Sequence, residues 1–206
     1  MNNILVINSS TAGEASVSRF LVENTVQRLL EVNPSAAITY RDLNETPIPH
    51  LTSTTVAGIR AVAETQAELA AETLSNELIA ELKAADVVVM GAPMYNFSIP
   101  SSLRSWFDHV LRPRVTFAYG AGGVQGLLSS DISVIVIESR GGLYSEGPTQ
   151  AMDFQEPYLK TLLGFIGITD VTFIHAEKIG SGPEARELAI ETAKSRIEEV
   201  VAASVW

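Results

Sequence analysis

The stretch Asp86-Val87-Val88-Val89-Met90-Gly91-Ala92-Pro93-Met94-Tyr95-Asn96-Phe97-Ser98-Ile99-Pro100 decides the fold. Its first half is an unbroken apolar run, the pattern of a strand buried on both faces. Beyond it, Leu103, Trp106, Phe107, Val110 and Leu111 repeat at helical spacing. The junction is therefore a strand-to-helix turn. Such turns are normally small and polar, but this one sets Tyr95 and Phe97 around Asn96. A turn of that kind can lie along a flat aromatic ligand. It can equally be a hydrophobic turn tucked under a neighbouring loop, and alone it does not choose.

Apolar runs and helical stretches alternate along the rest of the chain. Strands are expected at Ile4–Ile7, Ala37–Tyr40, Val87–Met90, Ser133–Ile137 and Val171–Ile174. Helices are expected at Ser18–Val32, stopped by Asn33-Pro34, at Gln66–Lys83, and at Tyr158–Ile166, with Gly167 as a C-terminal stop. A last helix should turn Ile190, Ala193, Ile197, Val200 and Val201 inward. Glu184, Glu187 and Glu191 should be solvated, with Lys194 and Glu198 paired at i,i+4 spacing. Residues 42–54 read as loop. Thr116–Leu128 interrupts the alternation and reads as a glycine-rich hairpin or flap.

Strands that do not alternate signal a parallel sheet covered on both faces. Right-handed crossovers then favour an α/β three-layer sandwich of flavodoxin-like type, with five parallel strands in the order 2-1-3-4-5. Ligands in such sheets bind at the carboxyl ends of the strands, where the order reverses between the first and third. The aromatic turn falls there. Residues 1–206 read as one domain.

Composition removes whole classes of function. The absence of cysteine excludes disulfides, thiolate metal sites and a cysteine nucleophile. A formal charge of −10 argues against nucleic acid as a partner. No segment approaches a membrane span. Met1-Asn2-Asn3 lacks the basic start of an export signal, so the cytoplasm is the expected location and the glycosylation tripeptides at Asn8, Asn44 and Asn96 are chance matches. His50, His109 and His175 show no metal spacing, and no metal is expected. His109, beside Trp106, Phe107 and Val110, reads as a packed histidine. No G-x-S-x-G elbow supports a serine hydrolase.

Two further turns carry candidate chemistry. After the first strand, Asn8 to Ser18 lacks both the G-x-G-x-x-G and the G-x-x-x-x-G-K-[ST] patterns. It offers hydroxyls, backbone amides and a helix start, which suit a phosphate monoester that is held and not transferred. Helix capping by Ser16 or Ser18 explains the same residues without a ligand. After the fourth strand, Gly141-Gly142 admits close backbone approach, and Arg140 offers a cation for a carbonyl or a developing negative charge. An ordinary strand-ending turn explains that pair too. The three turns share one crevice, however. A phosphate, an aromatic plane and a close backbone approach are the parts of flavin mononucleotide.

With these motifs in hand, the chain resembles the FMN-dependent NADH-azoreductases, also described as NADH:quinone oxidoreductases. The resemblance rests on Ser9-Ser10 with Ser16-Val17-Ser18, on Leu78–Ala84, on Ala92–Phe97, on Val115-Thr116-Phe117, on Ser139–Gly142 and on Gly164–Asp170. It implies FMN, with Ser10, Ser16, Val17 and Ser18 on the phosphate. Pro93, Met94, Tyr95, Asn96 and Phe97 would line the isoalloxazine, and Ser139, Arg140, Gly141 and Gly142 its other edge. It implies NADH or NADPH as donor, quinones or azo compounds as acceptors, and ping-pong turnover in which the flavin, not a catalytic side chain, carries the chemistry. It further implies a homodimer in which Phe117, Tyr119 and Phe165 surround the acceptor pocket, some from the partner, with Trp106 and Phe107 split between core and interface. The family's usual flap, Thr-Phe-Arg-Tyr-Thr-Glu, is here Thr116-Phe117-Ala118-Tyr119-Gly120-Ala121, which leaves the acceptor range open. A flavodoxin-type one-electron carrier is the alternative. The apolar, glycine-rich flap favours an enclosed small-molecule pocket instead.

Overall fold

A computed structural model describes residues 1–120 and 122–203. Five parallel strands form one sheet: β1 (Asn3–Asn8), β2 (Ala37–Asp42), β3 (Val87–Pro93), β6 (Ser133–Ser139) and β7 (Val171–Ala176), in the order β2-β1-β3-β6-β7. Counted along the sheet, this is the expected 2-1-3-4-5. The insertion after the third strand folds as an antiparallel hairpin of β4 (Phe117–Gly120) and β5 (Gly123–Gly126), the expected flap. The last position of the flap motif, Ala121, lies outside the described residues.

The pleat divides the sheet into two cores. Ile4, Val6, Val87, Val89, Ile135 and Ile137 face α1 (Val17–Val32) and α6 (Pro183–Ala203). Leu5, Ile7, Val88, Met90, Val134 and Val136 face α3 (Gln66–Ala84), α4 (Ser101–Val110) and α5 (Glu156–Phe165). Central strands β1, β3 and β6 are buried nearly throughout, as continuous apolar runs require. The edge strands β2 and β7 are largely half-exposed, because each has a neighbour on one side only.

Local chemistry sets the helix ends. Thr65 and Glu68 form a reciprocal capping box that starts α3. Gly167, at φ +102°, stops α5, and the Ile168 amide returns to the Leu163 carbonyl at 3.0 Å. On α6, Ala193, Ile197, Val200 and Val201 are buried as expected, and Ile190 is partly so. Its charges pair differently from the expectation. Lys194 meets Glu191 at i,i+3, and Glu198 meets Arg28 of α1, because helix packing brings that guanidinium nearer.

Two findings depart from the sequence reading. A short helix, α2 (Val56–Arg60), follows the loop. It is held by contact with α3: a Cβ on Gly58 would fall 2.2 Å from the Glu68 carbonyl oxygen, so only glycine fits. Trp106 and Phe107 are both core residues, 0% and 1% exposed, stacked edge to face at 4.9 Å. Their expected division between core and interface is therefore incorrect; both point into the layer beneath α4. His109 is buried, with Nδ1 3.0 Å from the Ser105 carbonyl, as expected of a packed histidine. Among the described residues no helix is long and apolar enough to cross a membrane.

The flap is fastened at its base. A Cβ on Gly126 would lie 2.1 Å from the Gly167 nitrogen. Gly126→Ala should therefore part the hairpin from the end of α5 and lower stability by about 1–3 kcal/mol, as overpacking does. Urea unfolding checks this; an unchanged midpoint would refute the close packing.

Candidate functional site

Three turns meet at the carboxyl edge of the sheet. The first runs from β1 through a single 3-10 turn into α1. Ser9 is spent on the scaffold, donating to the Gly91 carbonyl at 2.6 Å. Ser10 is buried and accepts from the Ala12 amide at 3.2 Å. Ser16 caps α1 by accepting from the Arg19 amide, and its hydroxyl lies 3.2 Å from that of Ser18. The amides of Val17 and Ser18 meet no acceptor among the described residues. Two free N–H groups, two hydroxyls and the positive end of a sixteen-residue helix make an anion cradle. Arg19 does not join it, since its guanidinium pairs with Asp42.

The second turn follows β3. Tyr95 and Ser98 exchange backbone hydrogen bonds at 2.9 and 3.1 Å, closing a two-residue turn over Asn96 (φ +49°) and Phe97 (φ +71°). Positive φ at both central positions is the mirror-image turn that asparagine tolerates. A phenylalanine there is strained, and such strain persists only where the surroundings enforce it. The amides of Asn96 and Phe97 meet no acceptor among the described residues.

The third turn follows β6, and side contacts knit it to the others. Parallel pairing of Pro93 with Ser139 continues as a bond from the Met94 amide to the Ser139 carbonyl at 2.9 Å. The Tyr95 hydroxyl accepts from the Thr11 amide at 3.1 Å and lies 3.5 Å from Ser10 Oγ. The Phe97 ring meets Tyr144 edge-on at 6.1 Å. Gly141 has open space where a Cβ would stand. Ser10, Ser16, Val17, Ser18, Pro93, Met94, Tyr95, Asn96, Phe97, Ser139, Gly141 and Gly142 thus lie on three adjacent turns at the carboxyl ends of β1, β3 and β6, tied to one another by the Tyr95 and Met94 contacts.

Arg140 does not follow its expectation. Its side chain is 0% exposed, so it cannot serve a carbonyl or a developing charge in the crevice. It sits among carboxylates: Glu138 at 2.6 Å, Asp153 at 3.0 Å and Glu177 at 3.2 Å. Only its backbone borders the site. Phe117, Tyr119 and Phe165 stand at a different cavity from that of the aromatic turn, with Arg104 bordering both. They form one cluster, with Phe117 4.6 Å from Phe165 and 5.6 Å from Tyr119. It lines a cavity of about 220 Å³ with Arg60 and Leu111, near the far end of α4.

A larger cleft, about 810 Å³, opens on the outer side of the aromatic turn. Tyr95, Asn96, Arg104, Phe154 and Tyr158 line it. Sequence reading missed Tyr144, Phe154 and Tyr158. The one available signal was Met152 and Phe154, two large apolar residues in an otherwise polar approach to α5, both exposed in the structure.

Beneath the third turn, His175 Nε2 reaches Glu156 at 2.8 Å and Glu138 at 3.1 Å. These three groups bring ligand-type atoms within 4.8 Å of one another, but the Arg140 guanidinium already supplies a cation to Glu138. The hydrogen bond to Glu138 holds the His175 pKa above its ordinary value, against the opposing effect of burial. Burial pushes Glu138 up as well, and Glu138 Oε1 has no partner among the described residues. Burial opposes ionisation of Glu156 and Glu177 too. There the bonds from Lys160 and His175, and from Ser145, Tyr144 and Arg140, prevail and lower both.

A family model described as "Flavodoxin-like fold" matches residues 2–201. The chain is 58% identical over 200 residues to the FMN-dependent NADH:quinone oxidoreductase of Hyphomonas neptunium, covering 97% of this chain and 96% of that protein. It is 47% identical to the protein of the same name from Ralstonia nicotianae, with 96% of each covered. Among solved structures, an azoreductase from Bacillus anthracis superposes with a TM-score of 0.88 at 26% identity, covering 98% of this chain and 99% of that one. The chain therefore belongs to the flavodoxin-like proteins and, among them, to the FMN-dependent NADH:quinone oxidoreductase family.

The charge cluster sets a pH window. His175, held protonated above its ordinary 6.5, adds stability that is complete below that value and lost as pH rises through the higher folded value. Glu138, with its folded value raised, loses stability in the same direction, as pH rises from its ordinary 4.5 toward that value. Glu156 and Glu177, held below their ordinary 4.5, add stability that is lost as pH falls. Unfolding free energy should thus decline on both sides, and His175→Gln should flatten the alkaline limb selectively. An unchanged alkaline limb would show that the proton is not held at His175.

Proposed function

We propose that this protein is an FMN-dependent oxidoreductase that passes two electrons from NADH or NADPH to quinones and azo compounds. The reading treats residues 1–206 as one flavodoxin-like domain, working as a homodimer on small molecules in the cytoplasm, where reduced nicotinamide nucleotides are available. One observation carries it: an anion cradle without a cation, a strained aromatic turn and an open glycine turn stand side by side at the carboxyl ends of β1, β3 and β6. The names of the relatives support the same cofactor, donor and acceptor classes.

The residues present fit FMN. Two free helix amides beside Ser16 and Ser18 suit a phosphate dianion. With Arg19 engaged by Asp42, no guanidinium of this loop polarises the phosphate, in keeping with an anchor and not a transferred group. The open face of Gly141 admits a ring edge that a side chain would exclude. The free amides of Asn96 and Phe97 are fixed donors for ring carbonyls and for negative charge gathered on the ring system. Bound FMN would supply the redox chemistry, accepting two electrons from the nicotinamide and returning them to the acceptor. The chain's own part is to bind, orient and exclude water.

The position of the flap aromatics favours a dimer. Tyr119 is 75% exposed and stands at a different cavity from that of the aromatic turn of its own chain, while Tyr95, Phe97 and Phe154 expose rings beside that turn. A two-fold contact would let the cluster of one subunit cover the turn of the other.

Ser18→Ala should raise the FMN dissociation constant about 10-fold with little change in stability, through loss of one charge-assisted bond. Ser16→Ala should weaken binding similarly and also cost about 1 kcal/mol of stability as a lost helix cap. Fluorescence titration with FMN decides; a protein that takes up no FMN ends the cofactor reading. With one open face serving donor and acceptor in turn, double-reciprocal plots should be parallel. Turnover should fall on dilution below the dimer's dissociation constant. Intersecting plots would require two separate sites, and a fully active monomer would remove the shared pocket.

A further inference from the structure

The turn at Asn96–Phe97 is strained, so something must hold it. Two segments lean on it directly. The Phe154 amide donates to the Phe97 carbonyl at 3.1 Å, and the Tyr144 ring packs edge-on against Phe97. These segments are the two ends of the connection from β6 to α5, parted by a 3-10 turn at Gly147–Met152.

Both are tied to the same guanidinium. Arg140 Nη2 lies 3.0 Å from Asp153, the residue before Phe154. The other Asp153 oxygen accepts from the amides of Gln155 and Glu156, which fixes the start of α5. Arg140 Nε donates to Gln155 Oε1 at 3.2 Å, and Gln155 Nε2 donates to the Ala92 carbonyl at 2.7 Å, near the end of β3 and just before the aromatic turn. Arg140 Nη1 lies 3.2 Å from Glu177, whose carboxylate accepts from the amides of Tyr144 and Ser145 and from the Ser145 hydroxyl. The rigid planar fork of arginine is the one side chain that reaches all three. Lysine carries the charge but lacks the fork.

We propose that Arg140 is the positioning residue of this site, its buried guanidinium holding the strained Asn96–Phe97 turn in shape through both segments that lean on it. It touches no reacting atom. Its effect on cofactor binding rests on the flavin reading; its effect on the turn does not. Without the fork, the turn relaxes toward negative φ at Phe97, and the two free amides lose their fixed direction. Preorganised donors lose affinity when they must be ordered on binding.

The test uses Arg140→Lys, which keeps the charge opposite Glu138, Asp153 and Glu177. Hydrogen exchange of the full-length protein without FMN should accelerate about 10-fold or more at the bonded amides of the turn, Met94, Tyr95 and Ser98, and of its supports, Tyr144, Ser145 and residues 153–155, with α1 and α6 unchanged. FMN titration should show a dissociation constant raised about 10-fold, with an altered visible circular-dichroism band for whatever flavin still binds. If Arg140→Lys does not fold, Glu177→Gln weakens one arm only and should accelerate exchange at the bonded amides of Tyr144 and Ser145 and of Tyr95 and Ser98. Unchanged exchange at the turn, or equal acceleration across the sheet, overturns the proposal. A wild-type protein that ignores FMN while the variant still loosens the turn would overturn the flavin reading and leave the positioning role standing.

Discussion

The parallel pairing of β3 with β6 is the constraint on which the site depends. Both strands are buried on both faces, so nothing along their length can meet a ligand. Only their carboxyl ends are free, and the register sets Pro93 beside Ser139. The bond from Met94 to Ser139 extends that pairing past the end of the sheet. The aromatic turn and the glycine turn are neighbours for this reason alone. The pairing of β1 with β3 does the same for the anion cradle, with the Tyr95 hydroxyl as the tie across the gap.

The buried charges beneath the third turn are an expensive way to build a loop. Desolvating an arginine and a glutamate costs more than it returns unless every remaining donor and acceptor is matched. Here the fork of Arg140 is matched on three sides, by Glu138 and Asp153, by Gln155, and by Glu177, while one oxygen of Glu138 stays unpaired among the described residues. An apolar filling of equal volume could be as stable. It could not prescribe where Asp153, Tyr144 and Ala92 stand relative to each other, and that placement keeps Phe97 at positive φ.

The same logic separates the two groups of aromatic residues. Trp106 and Phe107 fill the layer under α4 and have no surface to offer a partner. Tyr95, Phe97 and Phe154 expose rings beside the aromatic turn, and Tyr119 exposes its ring at the flap.

Much of this was legible from residue order. The apolar runs named all five strands and their parallel direction, because a strand buried on both faces has no choice but to be apolar throughout. The helix ends were written in Asn33-Pro34 and Gly167, since proline and positive-φ glycine act locally. The serines at 16 and 18 and the aromatic turn at 95–97 could be placed at the switch point from strand order. Charge partners were another matter. Arg140 is separated from Asp153 and Glu177 by 13 and 37 positions, with nothing local to join them, so its role changed from ligand contact to support only once α5 and the end of β7 were packed against β6. Helix α2, the pairing of Glu198 with Arg28, and the placing of Phe117, Tyr119 and Phe165 at a different cavity from that of the aromatic turn were decided the same way. Periodicity and turn chemistry act over a few residues and can be read in order. Coulomb attraction, burial and packing act over distance in space, and only the folded chain sets those distances.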